Sequence, residues 1–278
     1  MRYVDLHIHT TYSDSSFTPQ EVIEQSLKSD LSAVAITDHD SVDGIEPAIK
    51  AADKRIEVIP GIELSSIENG KDIHFLGYFI DYEEKNLLQI LKRFKTLRVD
   101  RAKEIIRKLR NFNIEINFEH ILQIVGKGSI GRPHIARMLL KEGYVASYRG
   151  AFRRFLADDA PCYVPRYELG QKEAIQIIRD ANGIPVLAHP LKLKVADFIP
   201  KFIEYGLLGI EAWHPEHNKE AIEYYTEYAR KKNLVATGGS DCHGNIKRPM
   251  LGKLKVPYSV LEDLKEIKSN VTRRGDCG

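Results

Sequence analysis

Asp5-Leu6-His7-Ile8-His9-Thr10 reads as the end of a first strand, and the rest of the chain takes its meaning from it. Val4, Leu6 and Ile8 alternate with Asp5, His7 and His9, which is the period-two pattern of a strand. His7 and His9 therefore face the same way, with Cα atoms about 6.5–7 Å apart. Two imidazoles at that spacing can close on one metal ion. A lone His-x-His pair arises by chance, so the weight of the reading comes from six later strand ends.

Ala33-Val34-Ala35-Ile36 is wholly apolar, as a buried parallel strand is, and ends in Thr37-Asp38-His39-Asp40. A third strand, Ile56 to Gly61, ends at Ile62-Glu63-Leu64. The fourth, Ile73-His74-Phe75-Leu76-Gly77-Tyr78-Phe79, follows a Glu68-Asn69-Gly70-Lys71 turn. Further along, Ile184 to Ala188 ends in His189-Pro190, Leu207 to Ala212 in Trp213-His214-Pro215, and Val235 to Gly239 in Ser240-Asp241-Cys242-His243. Helical stretches separate most of these strands. The first opens on a capping box, with Thr18 as N-cap, Pro19 at N1 and Glu21 at N3, and runs to about Lys28. Seven strands alternating with helices predict an α/β fold with parallel βα units, whose chemistry gathers at the carboxyl ends of the strands.

Between 83 and 166 the rhythm changes. Leu91, Phe94, Leu97, Ile105, Leu109 and Phe112 recur at helical spacing and no convincing strand appears. The expected division is a barrel built from 1–82 and 167–270, with an inserted helical subdomain, 83–166, over its mouth. A last helix spans about 259–268, and 271–278 is expected to be a disordered tail. Nine Lys or Arg lie between Lys92 and Arg110 against Asp100 and Glu104, which reads as a solvated helix face or as electrostatic guidance for a nucleotide or short RNA.

Composition narrows the class. The net charge of +2 selects no partner, and no stretch approaches the roughly 18 apolar residues of a membrane span. The opening Met1 to Asp5 runs into a strand without an apolar h-region, which predicts no signal peptide. Cys162, Cys242 and Cys277 are odd in number and form no Cys-x-x-Cys pair, which favours a reducing, cytoplasmic setting.

Carboxylates mixed with imidazoles, without a thiolate, suit Mn, Fe or Zn in a reactive site more than a structural zinc site. The candidates outnumber what one ion can use, so two or three divalent ions are expected, with a carboxylate such as Glu63 bridging. Clustered ions of this kind fit metal-assisted hydrolysis, and phosphoester cleavage in particular, because an anionic phosphate needs several positive charges around it.

The ordered set Asp5-Leu6-His7-Ile8-His9-Thr10, Thr37-Asp38-His39-Asp40, Gly61-Ile62-Glu63, His74-Phe75-Leu76-Gly77-Tyr78, Ala188-His189-Pro190 and Ser240-Asp241-Cys242-His243 resembles the motifs of the PHP (polymerase and histidinol phosphatase) family over nearly the whole chain. The resemblance implies a distorted (β/α)7 TIM-like barrel with a trinuclear metal site. By motif, it places a first ion on His7, His9, Glu63 and Asp241, a second on Glu63, His74 and His189, and a third on Asp14, His39 and His243. Mn is the expected metal, with Fe or Zn as alternatives. Gly131-Arg132-Pro133-His134-Ile135-Ala136-Arg137 resembles the branch acting on nucleoside 3′,5′-bisphosphates and on 5′ ends of short RNAs, where the arginine and histidine approach the substrate phosphate. The planar fork of Arg132 suits that role. Trp213-His214-Pro215-Glu216-His217 is similar to the same branch, which makes His214 a candidate substrate contact.

Other residues have plainer readings. Asp38 is expected to orient a ligand rather than to be one, and Asp5 either acts likewise or caps backbone. Asp14 can also order its own turn. Cys242 reads as packing, and His120 and His217 as surface or capping residues. The resulting expectation is a phosphoesterase in which a metal-held hydroxide attacks phosphorus and Arg132 with His134 clamps a phosphate. Its substrate is a phosphorylated small molecule or short oligonucleotide, and no membrane or stable protein partner is implied. The alternatives are a histidinol-phosphate phosphatase and a non-catalytic, metal-stabilised module. The second would have shed ligands, whereas this chain keeps a candidate at every motif.

Overall fold

The computed structural model describes residues 2–68, 71–126, 128–165, 167–193, 198–246 and 250–275. Its strands are β1 (Tyr3–Ile8), β2 (Leu31–Ile36), β3 (Glu57–Glu68), β4 (Lys71–Tyr78), β5 (Ile184–Leu187), β6 (Gly209–Trp213), β7 (Val235–Gly238) and the short β8 (Val256–Pro257). They form one sheet in the order β7-β6-β5-β4-β3-β2-β1-β8. Helices α1 (Pro19–Lys28) and α2 (Ile45–Ala52) connect the first three strands. Helices α3 (Lys85–Leu109), α4 (Phe118–Val125), α5 (Arg132–Lys141) and α6 (Tyr148–Ala151) lie between β4 and β5, preceding α7 (Gln171–Asp180). The remaining helices are α8 (Ile199–Glu204), α9 (Lys219–Lys231) and α10 (Ser259–Gly275).

The sheet curls into a nearly closed, TIM-like barrel. Ile8 bridges to Cys242 in parallel, and the His9 N–H donates to the Cys242 carbonyl at 3.0 Å. Ser240 N–H donates to Asp5 Oδ1 at 2.8 Å, so the buried Asp5 carboxylate laces the first strand to the chain leaving the last long one. This is the backbone-capping use of Asp5. Cys242 is buried in the same seam. The capping box at α1 is present as the sequence predicts: Thr18 accepts from Glu21 N–H, and Glu21 accepts from Thr18 N–H.

One strand departs from the expected parallel alternation. β4 runs antiparallel to both β3 and β5, because Glu68 pairs with Lys71 and a two-residue connection cannot turn a chain into a parallel neighbour. The reversal matters for the site. His74 lies in the first half of β4, opposite Ser65, yet it reaches the rim where the parallel strands end. Glu63 is likewise inside β3 rather than at its end, since β3 continues past the rim as a hairpin arm. A second difference is at the carboxyl terminus, where α10 continues to Gly275 instead of giving way to a disordered tail at 271. No Pro or Gly interrupts it before Gly275. Residues 276–278, with Cys277, lie outside the described part.

Packing separates into three apolar clusters. Ile8, Val34 and Ile36 meet Val22, Ile23 and Ile45 of the first two helices. Val4, Leu6, Ala33 and Ala35 meet Leu261 and Leu264 of α10. The third cluster belongs to the segment between β4 and β5, where Ile105, Leu109, Ile121, Ile135, Leu139 and Leu156 pack on one another. No described helix is long and apolar enough to cross a membrane.

Gly239 shows how tightly the seam is drawn. A Cβ there would lie 2.2 Å from His7 N and 2.5 Å from His7 Cβ, so only glycine lets the last strand close against the first beside His7. Gly239→Ala is expected to lower unfolding free energy by about 1–3 kcal/mol in urea titrations, the usual cost of overpacking a filled interior. Gly170→Ala, whose added Cβ meets nothing within 4 Å, serves as the control. It is expected to change stability by under about 1 kcal/mol, the scale of an N-cap preference.

Candidate metal centre

Glu63 is the hub. It is 1 % exposed, and its two oxygens face two different sets of imidazoles. Oε2 lies 3.4 Å from His7 Nε2, 3.2 Å from His9 Nε2 and 3.1 Å from His39 Nδ1. Oε1 lies 2.8 Å from His74 Nδ1 and 3.1 Å from His189 Nε2. Strands β1, β3 and β4 and the loops after β1, β2 and β5 supply these six residues, which the βα layout brings to one rim. Asp241 joins from the chain after β7, with Oδ1 3.2 Å from His9 Nε2 and 3.5 Å from His7 Nε2. His243 Nε2 stands 3.2 Å from Asp14 Oδ1. All nine sequence-selected metal candidates are therefore at one rim of the barrel.

Whether these residues fit divalent ions is decided by their unused atoms. His7 Nε2, His9 Nε2, His39 Nδ1, Glu63 Oε2 and Asp14 Oδ1 are buried and make no hydrogen bond. The three imidazole nitrogens stand 3.1–3.4 Å from Glu63 Oε2 without hydrogen-bond geometry, as donors gathered around a shared cation do. Burying so many polar atoms unpaired would be costly without a ligand. Among the described residues, three overlapping groups have ligand atoms within 4.8 Å of one another: His9, Asp14, His39 and His243; His7, His9 and Glu63; and His39, Glu63 and His74. The donor set of imidazoles and carboxylates fits a divalent cluster.

The supports around the site are as ordered as the candidates themselves. Asp38 accepts from Thr10 N–H at 2.7 Å, from Thr10 Oγ1 at 2.6 Å and from Ser13 Oγ at 2.5 Å. It thus braces the loop carrying His9 and Asp14 instead of facing the cluster. His189, Asp241 and Asp40 adopt left-handed φ values of 30°, 48° and 48°. That region is strained for residues with a Cβ, at roughly 1–2 kcal/mol each, and such strain collects where side chains are aimed for function.

Two of the three residues expected to meet substrate, Arg132 and His134, sit on the first turn of α5. Arg132 donates to the Leu156 carbonyl at 2.9 Å and pairs with Asp158, with its guanidinium over Tyr163. His134 accepts from Gly131 N–H at 3.1 Å through Nδ1 and is buried. Burial holds its pKa down to about 4, so it is neutral at pH 7. His214 is buried beside Asp241, with Nε2 3.5 Å from Oδ2. His217 is not a surface residue. It is buried, with Nδ1 2.7 Å from the Ala212 carbonyl and its ring against Tyr225, because the turn after β6 folds back onto α9.

Sequence reading missed three participants. Glu211 is a fully buried carboxylate on β6, 2.8 Å from His7 Nδ1 and 2.7 Å from His189 N. Its signal was available: it is the lone charge in the apolar run Leu207 to Ala212. Arg98 of α3 pairs with Asp40, the residue after His39. Arg137 of α5 donates to the Asp14 carbonyl. Much of the basic run is thereby occupied, since Arg101 and Lys108 also donate to the Val164 and Tyr163 carbonyls and Arg107 pairs with Glu104.

A βα barrel carrying clustered imidazoles and carboxylates on one rim defines a metal-dependent hydrolase architecture. Residues 5–157 match the PHP domain, and the chain belongs to that family. It is 31 % identical to the phosphoribosyl 1,2-cyclic phosphate 1,2-diphosphodiesterase of Eggerthella lenta, over 91 % of this chain and 98 % of that one. It is 31 % identical to the 3′,5′-nucleoside bisphosphate phosphatase of Chromobacterium violaceum, over 87 % and 88 %. Against the 5′-3′ exoribonuclease Rnm of Escherichia coli the identity is 30 %, over 97 % and 96 %. A solved structure from Bifidobacterium adolescentis, provisionally described as a metal-dependent phosphoesterase, superposes with a TM-score of 0.87 at 27 % identity over 95 % of both chains.

Without a metal, His9 is protonated at neutral pH. Burial opposes protonation of His9, but the carboxylates of Asp241 and Glu63 beside its Nε2 raise its pKa to about 9 from the usual 6.5. A folded-state pKa above the unfolded value adds stability that is complete below about 6.5 and is lost as pH rises through about 9. A metal-ligating His9 is neutral and takes no part in that titration. The thermal midpoint of chelator-treated protein is therefore expected to fall between pH 7 and 10 while that of Mn-loaded protein holds. Parallel falls in both would contradict this account.

Proposed function

We propose that this chain is a metal-dependent phosphoester hydrolase acting on nucleotides, namely nucleoside 3′,5′-bisphosphates and the 5′ ends of short RNAs. The observation that carries the reading is Glu63, whose two buried oxygens meet five imidazoles. Its carboxylate would join two neighbouring ions. His7, His9 and Asp241 complete the first position, His74 and His189 the second, and Asp14, His39 and His243 a third. Mn is the favoured metal, with Fe or Zn able to occupy the same donors. Ions held there supply an acidified water and positive charge against phosphoryl oxygens.

The hydrogen-bonded states of His243, His134 and His214 support a division of labour. His243 Nδ1 faces the Asp241 carbonyl at 2.8 Å, so it carries the proton and leaves Nε2 with a lone pair for a metal. His134 and His214 are the reverse. Each accepts a backbone N–H through Nδ1, from Gly131 and Glu216, so the neutral ring bears its proton on Nε2. These two present donors rather than lone pairs, as groups that bind phosphate oxygens must. Arg132 would add a bidentate clamp. Its partner Asp158 is largely exposed, and an exposed pair is worth only about 0–1 kcal/mol, so a phosphate can displace it. Helices 83–166 would then act as a cap holding the substrate end remote from the ions.

Phosphate release by Mn-loaded protein, with Asp241→Ala beside it, tests the reading. The panel is a nucleoside 3′,5′-bisphosphate, 5′-phosphorylated short RNA, phosphoribosyl 1,2-cyclic phosphate, mononucleotides and histidinol phosphate. Turnover of the first two, abolished in Asp241→Ala, is expected. Arg132→Ala and His134→Ala should lower kcat/KM by about 10–100-fold, the loss of one charge-assisted contact each. Preference for the cyclic phosphate would move the substrate toward that of the Eggerthella relative. Turnover of histidinol phosphate alone would overturn the nucleotide assignment, and metal binding without any turnover would overturn the enzyme.

A further inference from the structure

We propose that Glu211 is a positioning residue that sets two candidate ligands at once, His7 through its ring and His189 through its backbone. The inference rests on the metal-centre reading above and deepens it. Glu211 occupies the middle of β6 and is fully buried. Its Oε1 lies 2.8 Å from His7 Nδ1, and its Oε2 accepts from His189 N–H at 2.7 Å.

A carboxylate can only accept, so the proton between the two side chains lies on His7 Nδ1, and Nε2 keeps its lone pair. That Nε2 is turned to Glu63 Oε2 at 3.4 Å and to Asp241 Oδ1 at 3.5 Å. Ring, tautomer and aim are thus fixed by one contact. The second oxygen acts on the neighbouring strand end. His189 has a left-handed φ of 30°, a conformation that needs outside support in a residue with a Cβ. The bond to its N–H supplies that support and leaves His189 Nε2 3.1 Å from Glu63 Oε1. Glu63 separates the His7 side of the centre from the His189 side. Glu211, behind both, couples them.

Glu211→Gln isolates this role because it keeps the shape and removes one acceptor. The amide oxygen can take one N–H, while the amide nitrogen then faces the other donor. Mn affinity of the purified variant, measured by titration against a competing chelator, is expected to fall about 10–100-fold, the usual effect of losing a partner behind a metal ligand. The metal-free variant should unfold at a somewhat lower temperature, since one buried N–H then faces an amide N–H, and excess Mn should restore turnover. Wild-type Mn affinity in the variant would overturn the inference. So would a loss of metal-free stability with unchanged affinity of the folded molecule, since that is a purely structural role.

If Glu211→Gln does not fold, nitrogen NMR of histidine-labelled, Zn-loaded wild type decides instead. His7 must carry its proton on Nδ1, and a proton on Nε2 overturns the inference. Wild-type protein that binds no divalent ion would overturn the metal-centre reading and this inference together. Wild-type binding with an unaffected Glu211→Gln overturns this inference alone.

Discussion

A carboxylate buried to 1 % exposure must be matched by positive charge, and Glu63 has no Lys or Arg among its described ion pairs. Its partners are imidazoles, which are neutral when they act as metal ligands. Most of the architecture follows from meeting that demand. The parallel strands deliver His7, His9, His189 and Asp241 to one rim, and the reversed β4 delivers His74 to the same place. Gly239 lets the barrel close tightly enough for the two ends of the site to meet. The result is an interior whose unpaired buried donors suit divalent cations.

The helical segment between β4 and β5 is fastened to the centre at the loops that carry candidate ligands. Arg98 holds Asp40, whose N–H donates to the Glu63 carbonyl at 3.0 Å and whose Oδ1 accepts from Ser65 N–H at 3.1 Å. Arg137 holds the Asp14 carbonyl, and Ser129 N–H donates to the Tyr12 carbonyl at 3.1 Å. Movement of these helices would therefore be felt at His39 and Asp14. Such a linkage would couple any contact made at α5 to the geometry of the cluster.

What the sequence reveals depends on how local the information is. The buried strands were legible because apolar runs and period-two alternation are properties of consecutive residues, and eight of the candidate ligands because they sit on or just past those runs; Asp14, in a loop, came only from the family resemblance. The reversal of β4 was implied by its two-residue turn, although the alternating rhythm masked it. Glu211 stayed hidden because its meaning comes from β6 lying beside β5 and from the ring of a residue 204 positions away. The arginine anchors are equally non-local, with Arg98 58 residues from Asp40 and Arg137 123 from Asp14. A basic run looks the same in sequence whether its charges face solvent or are spent on carbonyls and carboxylates.

The central claim is that Glu63 joins neighbouring divalent ions, and anomalous diffraction from crystals grown with Mn tests it most directly. The account predicts at least two Mn peaks flanking the Glu63 carboxylate, about 3.5–4 Å apart, with His7 and His9 on one and His74 on the other. Peaks absent from Glu63, or a single ion bound elsewhere on the chain, would contradict it.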